Sequence, residues 1–231
     1  MNADTILVVA AHPDDEVLGC GGTVAKMAHA GAAVHVLILG EGVTARVEKR
    51  DDKDAPAIQS LDNECKTANR LLGVLDVYRE YLADNRFDSL DLLDIIKKIE
   101  GYVNTVNPDV VFTQHGGDIN IDHSITFRAV LTAVRPMQGI GVKALYAYEI
   151  PSSTEWSMQY VSPVFHPNTY IDITDTLEVK LQALKTYQSE LRSFPHPRSV
   201  EGVRSLARYR GMTAGVEAAE AFELIWQRND I

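Results

Sequence analysis

Two cysteines, Cys20 and Cys65, are all that the 231 residues contain. That is too few for a disulfide framework, so the fold has to rest on a buried apolar core. Long apolar runs are missing too: none approaches the ~18 residues of a membrane-spanning helix, and no signal peptide is expected before the first apolar stretch. Positive charge is scarce, with 22 Lys and Arg against 32 Asp and Glu and a formal charge of −10. An acidic surface repels phosphate backbones and anionic lipid. These absences argue against a secreted disulfide scaffold, a membrane protein and a nonspecific nucleic-acid binder. The expected compartment is the cytoplasm, with both thiols reduced. A small anionic substrate stays open, because local arginines can still line a pocket.

What is present is an ordinary globular composition, 45% hydrophobic and 23% charged, in a chain long enough for one substantial domain. "TILVVAA" (Thr5 to Ala11) has the unbroken apolar character of a central parallel strand covered on both faces. A helix is expected from Asp15 to Ala30, stopped by Gly31. The second strand is "AAVHVLIL" (Ala32 to Leu39), and Gly40 to Ala55 reads as a long polar loop, of a length that is often functional. A helix from Ala57 to Leu72, the strand "VLDVYREY", and a helix capped by Ser89 and running through Val106 follow. The strand "DVVFTQ", a helix from His123 to Val134 and the strand "ALYAYEI" complete an alternation that indicates a parallel sheet between helices. Beyond Pro151 the pattern loosens into a short strand "NTYIDI", a helix from Thr176 to Leu191, a stiff turn "SFPHPRS" and a last helix from Ala214 to Gln227. The expectation is a single domain over 1–231, with its core at about 4–150 and an extension at about 151–231 packed on it.

The chemistry gathers in two loops. "VVAAHPDDEVLGCGG" (Val8 to Gly22) leaves the first strand and places His12, Asp14, Asp15 and Glu16 together, a repulsive set unless a cation or proton offsets it. "QHGGDINIDHS" (Gln114 to Ser124) leaves the fourth strand and ends in Asp122 and His123. Ligands bind outside the carboxyl ends of strands in open parallel sheets, so both loops belong at one edge. His12, Asp15 and His123 then offer two imidazoles and a carboxylate, a set that leaves zinc one open position for water. Asp14 would face that water as a base, with zinc lowering the water's pKa to roughly 7. Acids at a helix N-terminus also suit the macrodipole, but that explains neither His12 nor the second acid–histidine pair. "GCGG" does not read as a dinucleotide fingerprint, since Gly19 lies well inside the helix; close helix packing is its expected use. Cys20 has no partner cysteine at ligand spacing and reads as a small buried side chain.

"AHPDDE" (Ala11 to Glu16) with a later "DH" pair after a strand resembles the PIG-L/LmbE-like zinc-dependent deacetylases of N-acetylglucosamine derivatives. "ECKTANRLLGV" (Glu64 to Val74) and "YLADNRFD" (Tyr81 to Asp88) are similar to that family's helix end and following acidic turn. The resemblance implies a Rossmann-like three-layer α/β sandwich with a mostly parallel central sheet and no dinucleotide. It implies one Zn2+ per chain on His12, Asp15 and His123, with Asp14 as general base, and hydrolysis of an N-acetyl amide on an aminosugar to acetate and amine. Many members carry a histidine where this chain has Asn120. Asparagine can donate a hydrogen bond to an oxyanion but cannot shuttle a proton. Either Asp14 carries the proton both ways or His115, His166 or His196 supplies it, His196 being the acid taken forward. Asp122 is expected to support a ligand from behind.

Substrate contacts are expected from Glu16, from Arg46 and Arg50 in the long loop, and from Trp156 stacking on a sugar ring. Glu16 is also read as a hydrogen-bond anchor. Arg192, Arg198, Arg204, Arg208 and Arg210 make the tail locally basic, as a salt-bridged surface, a subunit contact or an anion pocket. The resemblance also implies a homo-oligomer. Two rivals remain: an amidase removing a larger acyl group from a sugar conjugate, and a metal-retaining sugar-binding protein inactive for want of a histidine at 120.

Overall fold

The computed structural model describes residues 3–44 and 55–228. Five parallel strands, β1 (Thr5–Ala10), β2 (Ala33–Gly40), β3 (Asp76–Leu82), β4 (Val110–Gln114) and β5 (Ala144–Tyr148), pair in the order β3-β2-β1-β4-β5. Beyond β5 the sheet continues with β7 (Ala219–Gln227), antiparallel to β5, and ends at β6 (Thr169–Asp172), antiparallel to β7. Successive side chains of a strand point to opposite faces, and β1 feeds both. Ile6, Val8 and Ala10 join one core cluster, while Leu7, Val9 and the following Ala11 join the other.

Six helices cover the two faces among the described residues. On one side lie α1 (Asp15–His29), α2 (Ala55–Leu72), α5 (Leu177–Thr186) and α6 (Val200–Ala214). On the other lie α3 (Leu92–Val106) and α4 (Ile121–Ala133). The chain therefore leaves neighbouring strands β1 and β4 toward opposite faces. A crevice opens between their carboxyl ends at such a switch point, where His12 and the 115–120 loop lie. No helix among the described residues is long and apolar enough to cross a membrane.

Three expectations about elements are corrected. Ser89 does not cap α3: its hydroxyl donates to the Arg86 carbonyl at the end of a short 3-10 turn, and Asp91 precedes the helix instead. Helix α5 ends at Thr186, short of Leu191, because Tyr187 turns inward and its hydroxyl donates to Glu16 Oε1 at 2.6 Å. The helix expected over 214–227 is absent beyond Ala214. The helix is α6, capped by the Ser199 hydroxyl accepting from Gly202 N, and "AEAFELIWQ" forms β7 despite its helix-favouring residues. Pairing on both sides, with β5 and β6, overrides that local preference.

The close packing expected of "GCGG" is present. A Cβ at Gly19 would lie 2.0 Å from the Tyr148 ring, so only glycine lets α1 approach β5 there. Helix α1 is also broken at Cys20, whose φ of −138° and ψ of 17° are not helical. Gly22 N and Thr23 N thereby lose their helical acceptors and donate to Glu220 at 2.9 and 2.7 Å. The freed Leu18 carbonyl accepts from Lys180 Nζ, and Lys180 pairs with Glu220 at 2.6 Å. A buried ion pair thus bridges the gap in the hydrogen-bond ladder. Cys20 itself is buried, its Sγ donating to the Glu16 carbonyl.

Candidate metal centre

The first loop is built around one unusual residue. Asp14 adopts a left-handed conformation, φ 98° and ψ −27°, which a non-glycine residue enters at a cost. Its amide donates to Glu16 Oε2 at 3.1 Å and its carbonyl accepts from Val17 N and Leu18 N to start α1. Glu16 is fully buried, also taking Asn69 Nδ2 at 2.8 Å and the Tyr187 hydroxyl. That corrects its expected substrate contact: Glu16 sits under the loop and locks Asp14 in place from α2 and the segment after α5. The anchoring alternative describes it.

The bend turns Asp15 back beneath His12, with His12 N donating to Asp15 Oδ2 at 2.9 Å. His123, in the first turn of α4, brings Nε2 to 3.2 Å from the same oxygen. The rings of His12 and His123 are 5.4 Å apart between centroids. One ligand atom each from His12, Asp15 and His123 lies within 4.8 Å of the others. Each imidazole is oriented from behind by a carboxylate. His123 Nδ1 meets Asp118 Oδ2 at 3.0 Å, and His12 Nε2 meets Asp122 Oδ2 at 2.9 Å and Asp84 Oδ1 at 3.1 Å. Asp122 is itself fixed by Asn85 N and Phe87 N, at 2.7 and 3.0 Å.

Two buried atoms in this cluster have no hydrogen-bond partner, Asp15 Oδ1 and His123 Nε2. A buried carboxylate oxygen and a buried ring nitrogen are costly to leave unpaired. Both belong to the three-residue set, and His123 is free to ligate only through Nε2, because Asp118 engages Nδ1. Carboxylate–histidine pairs of this kind orient metal ligands, so the residues present fit a divalent cation. The electrostatics agree. Despite burial, which disfavours a charged imidazole, Asp15 and Asp118 raise His123 to about 9, and Asp122, Asp15 and Asp84 hold His12 well above its ordinary value. Burial raises Asp15, but His123 and His12 outweigh it and hold the carboxyl well below the usual range. The acids call for positive charge at this spot, as protons or as a cation.

Above the cluster opens a cavity of about 180 Å³, lined among others by His12, Asp14, Asp84, Asn120, Glu190 and Arg198. Asp14 stands on its wall. Burial pushes its carboxyl up to about 8 against the opposing pull of Arg198, with Asp15, Glu190 and Glu16 adding to the rise. Asn120 caps α4, its Oδ1 accepting from Asp122 N at 2.9 Å. His196 does not line this cavity: its Nδ1 accepts from Arg198 N, its ring lies against Trp156, and its pKa is lowered by burial, Arg198 and Arg192. Nor does Trp156 line it, being 43% exposed beside His196. Arg46 and Arg50 lie outside the described residues.

Sequence reasoning passed over Asp84, Asp118 and Arg198. Asp84 and Asp118 were in sight, within "YLADNRFD" and five residues before His123. Arg198 was grouped with the tail arginines, yet its Nη1 donates to Asp14 Oδ2 at 3.0 Å. No local signal connects two residues 184 positions apart.

Comparison with known proteins accords with this geometry. The chain is 28% identical over 190 residues, 80% of its length and 90% of the relative's, to the uncharacterized deacetylase YaiS of Escherichia coli (strain K12). It is 23% identical over 223 residues to the diacetylchitobiose deacetylase of Thermococcus kodakarensis, covering 95% of this chain and 82% of that one. The solved structure of GalB, the 4-carboxy-2-hydroxymuconate hydratase of Pseudomonas putida KT2440, shares the fold with a TM-score of 0.77 at 22% identity, over 99% of this chain and 98% of that one. The model of the PIG-L family, described as GlcNAc-PI de-N-acetylase, matches residues 7–134, more than half of the chain. The chain belongs to the PIG-L family of de-N-acetylases.

Proposed function

We propose that the chain is a zinc-dependent hydrolase that removes the acetyl group from the nitrogen of an N-acetylglucosamine-like aminosugar, with one zinc per chain and the whole of 1–231 acting as one domain. The observation that carries this reading is Asp14, a carboxylate on a cavity wall beside two histidines and an aspartate with ligand atoms left open. Relatives named as deacetylases of diacetylchitobiose and of glucosaminyl compounds support the substrate class. A cation on His12, Asp15 and His123 would polarise the amide carbonyl and make a water acidic enough, with a pKa near ~7, to attack at neutral pH.

The remaining work belongs to the chain's own residues. Asp14 takes the proton of the attacking water and returns it to the departing nitrogen as the carbon–nitrogen bond breaks, so that acetate and a free amine leave. Asn120, whose Oδ1 is engaged by Asp122 N, offers its side-chain N–H to the acyl oxygen. Asp118 and Asp122 hold His123 and His12 in the orientation that ligation requires.

The test is product analysis by mass spectrometry, with zinc-loaded protein and a panel of N-acetylated sugars and longer-acyl analogues. Free amine from the N-acetyl compounds is expected. Asp14→Asn should keep its zinc and lose about 10²- to 10⁴-fold in turnover. Amine release from longer-acyl compounds alone would favour the amidase, and no release from any would contradict the reading.

A further inference from the structure

The cavity wall carries a cation that the sequence did not mark. Of the three histidines weighed as a proton donor, His115, His166 and His196, none lines the cavity. His115 commits both ring nitrogens elsewhere, Nδ1 to Glu223 at 2.7 Å and Nε2 to the Pro163 carbonyl at 2.8 Å. His196 faces Trp156 and the Arg198 amide. His166 is exposed, its amide tied to Glu223 at 2.7 Å. Arg198 does line it.

The guanidinium is held in a fixed pose. Nε donates to Ser152 Oγ at 2.8 Å and to the Pro151 carbonyl at 3.4 Å, and Nη1 donates to Asp14 Oδ2 at 3.0 Å. Its backbone is pinned as well, because the next residue, Ser199, caps α6. With these bonds made, Nη2 has no hydrogen-bond partner among the described residues. A planar guanidinium tied at two of its three nitrogens presents the third in a set direction. Such a donor, aimed where negative charge develops, is the arrangement that stabilises an oxyanion.

Resting on the proposed deacetylation, we infer that Arg198 is a catalytic residue of this site: Nη2 donates to the acyl oxygen as it becomes negative, while Nη1 sets the position of the Asp14 carboxylate. Arginine does not give up its proton, so this assignment leaves all proton transfer to Asp14. It also accounts for an asparagine at 120, since the positive charge comes from the turn after α5 rather than from α4. The product acetate, with two carboxylate oxygens in the same place, is the smallest ligand that would feel the same donor.

Two measurements on zinc-loaded full chain test this. For Arg198→Ala and Arg198→Lys, kcat should fall about 10²- to 10³-fold and at least 10-fold respectively, with KM within a few-fold and zinc stoichiometry unchanged. Guanidinium ions added to Arg198→Ala should restore part of the lost rate. Acetate affinity, measured by calorimetry, should drop about 10-fold in both variants. That second readout keeps the inference separate from the functional reading, because it stands even if no N-acetyl sugar is turned over. Wild-type kcat or wild-type acetate affinity in Arg198→Lys, with the variant folded and loaded, would overturn it; so would activity lost in both variants only through lost zinc.

Discussion

Removing the Glu220 carboxylate should destabilise the protein more than almost any other single change, although Glu220 never meets the cavity. Glu220 is 4% exposed and Lys180 3%. Between them they replace the helical bonds missing at the Cys20 break, with Glu220 accepting from Gly22 N, Thr23 N and Lys180 Nζ, and Lys180 also donating to the Leu18 carbonyl. Glu220→Ala orphans two amides and leaves an ammonium buried beside an apolar core. Deleting one partner of a buried pair costs about 3–5 kcal/mol, and each orphaned donor about 1–3 kcal/mol. These contributions overlap, so the expected total is about 4–5 kcal/mol, a large share of the ~5–15 kcal/mol that holds a domain folded. For a chain of this size that is a fall in Tm of about 10–15 °C. Glu220→Gln retains one acceptor and should lose roughly half as much. Urea unfolding of wild type, both variants and Lys180→Met gives the numbers, and the double variant Lys180→Met/Glu220→Gln should lose at least ~1 kcal/mol less than the sum of its parts. A loss below about 1 kcal/mol for Glu220→Ala would refute the view that the pair bridges the break in α1.

Asp118→Asn should weaken metal binding about 10- to 100-fold by loosening the orientation of His123, read by competition with a chelating dye; unchanged affinity would separate Asp118 from the centre. Gly19→Ala should cost about 1–3 kcal/mol by overpacking against Tyr148, and neutral behaviour in denaturant would mean that α1 can move away. His115 is raised, since Glu223 outweighs the opposing effect of burial, and Glu223 is lowered by His115 despite its own burial. The stability from the raised His115 is complete below its unfolded value of about 6.5 and fades as pH climbs through the folded value. That from Glu223 is complete above about 4.3 and fades as pH falls through its folded value. Glu223→Gln should therefore destabilise most between about pH 4.5 and 6.5 and progressively less as pH rises through the raised folded value of His115, with His115 moving down in an NMR titration; a pH-independent loss would contradict the pairing.

The parallel half of the fold was legible because four of its strands are largely apolar runs bounded by turns, β1 being apolar throughout Ile6 to Ala10, while the charged β3 was read from its place in the alternation of strands and helices. The last quarter was not. "AEAFELIWQ" carries residues that favour helix, and only its neighbours β5 and β6 make it a strand. At the site, His12, Asp15 and His123 were readable because two acid–histidine groups each follow a strand of one parallel sheet. Glu16 misled, since an acid beside a ligand looks the same in sequence whether it faces a cavity or, as here, Asn69 and Tyr187. Arg198 was out of reach for another reason: a proline-rich turn has no periodicity from which to compute where its arginine points.

The claim beneath all of this is that one divalent cation is gripped by residues from the loops after β1 and β4. Crystals grown with zinc and measured above and below the zinc absorption edge test it without reference to any substrate. One anomalous peak per chain is predicted, within ~2.0–2.2 Å of a nitrogen of His12, an oxygen of Asp15 and a nitrogen of His123. No peak there, or a peak on other residues while these three keep their present contacts, would contradict the account.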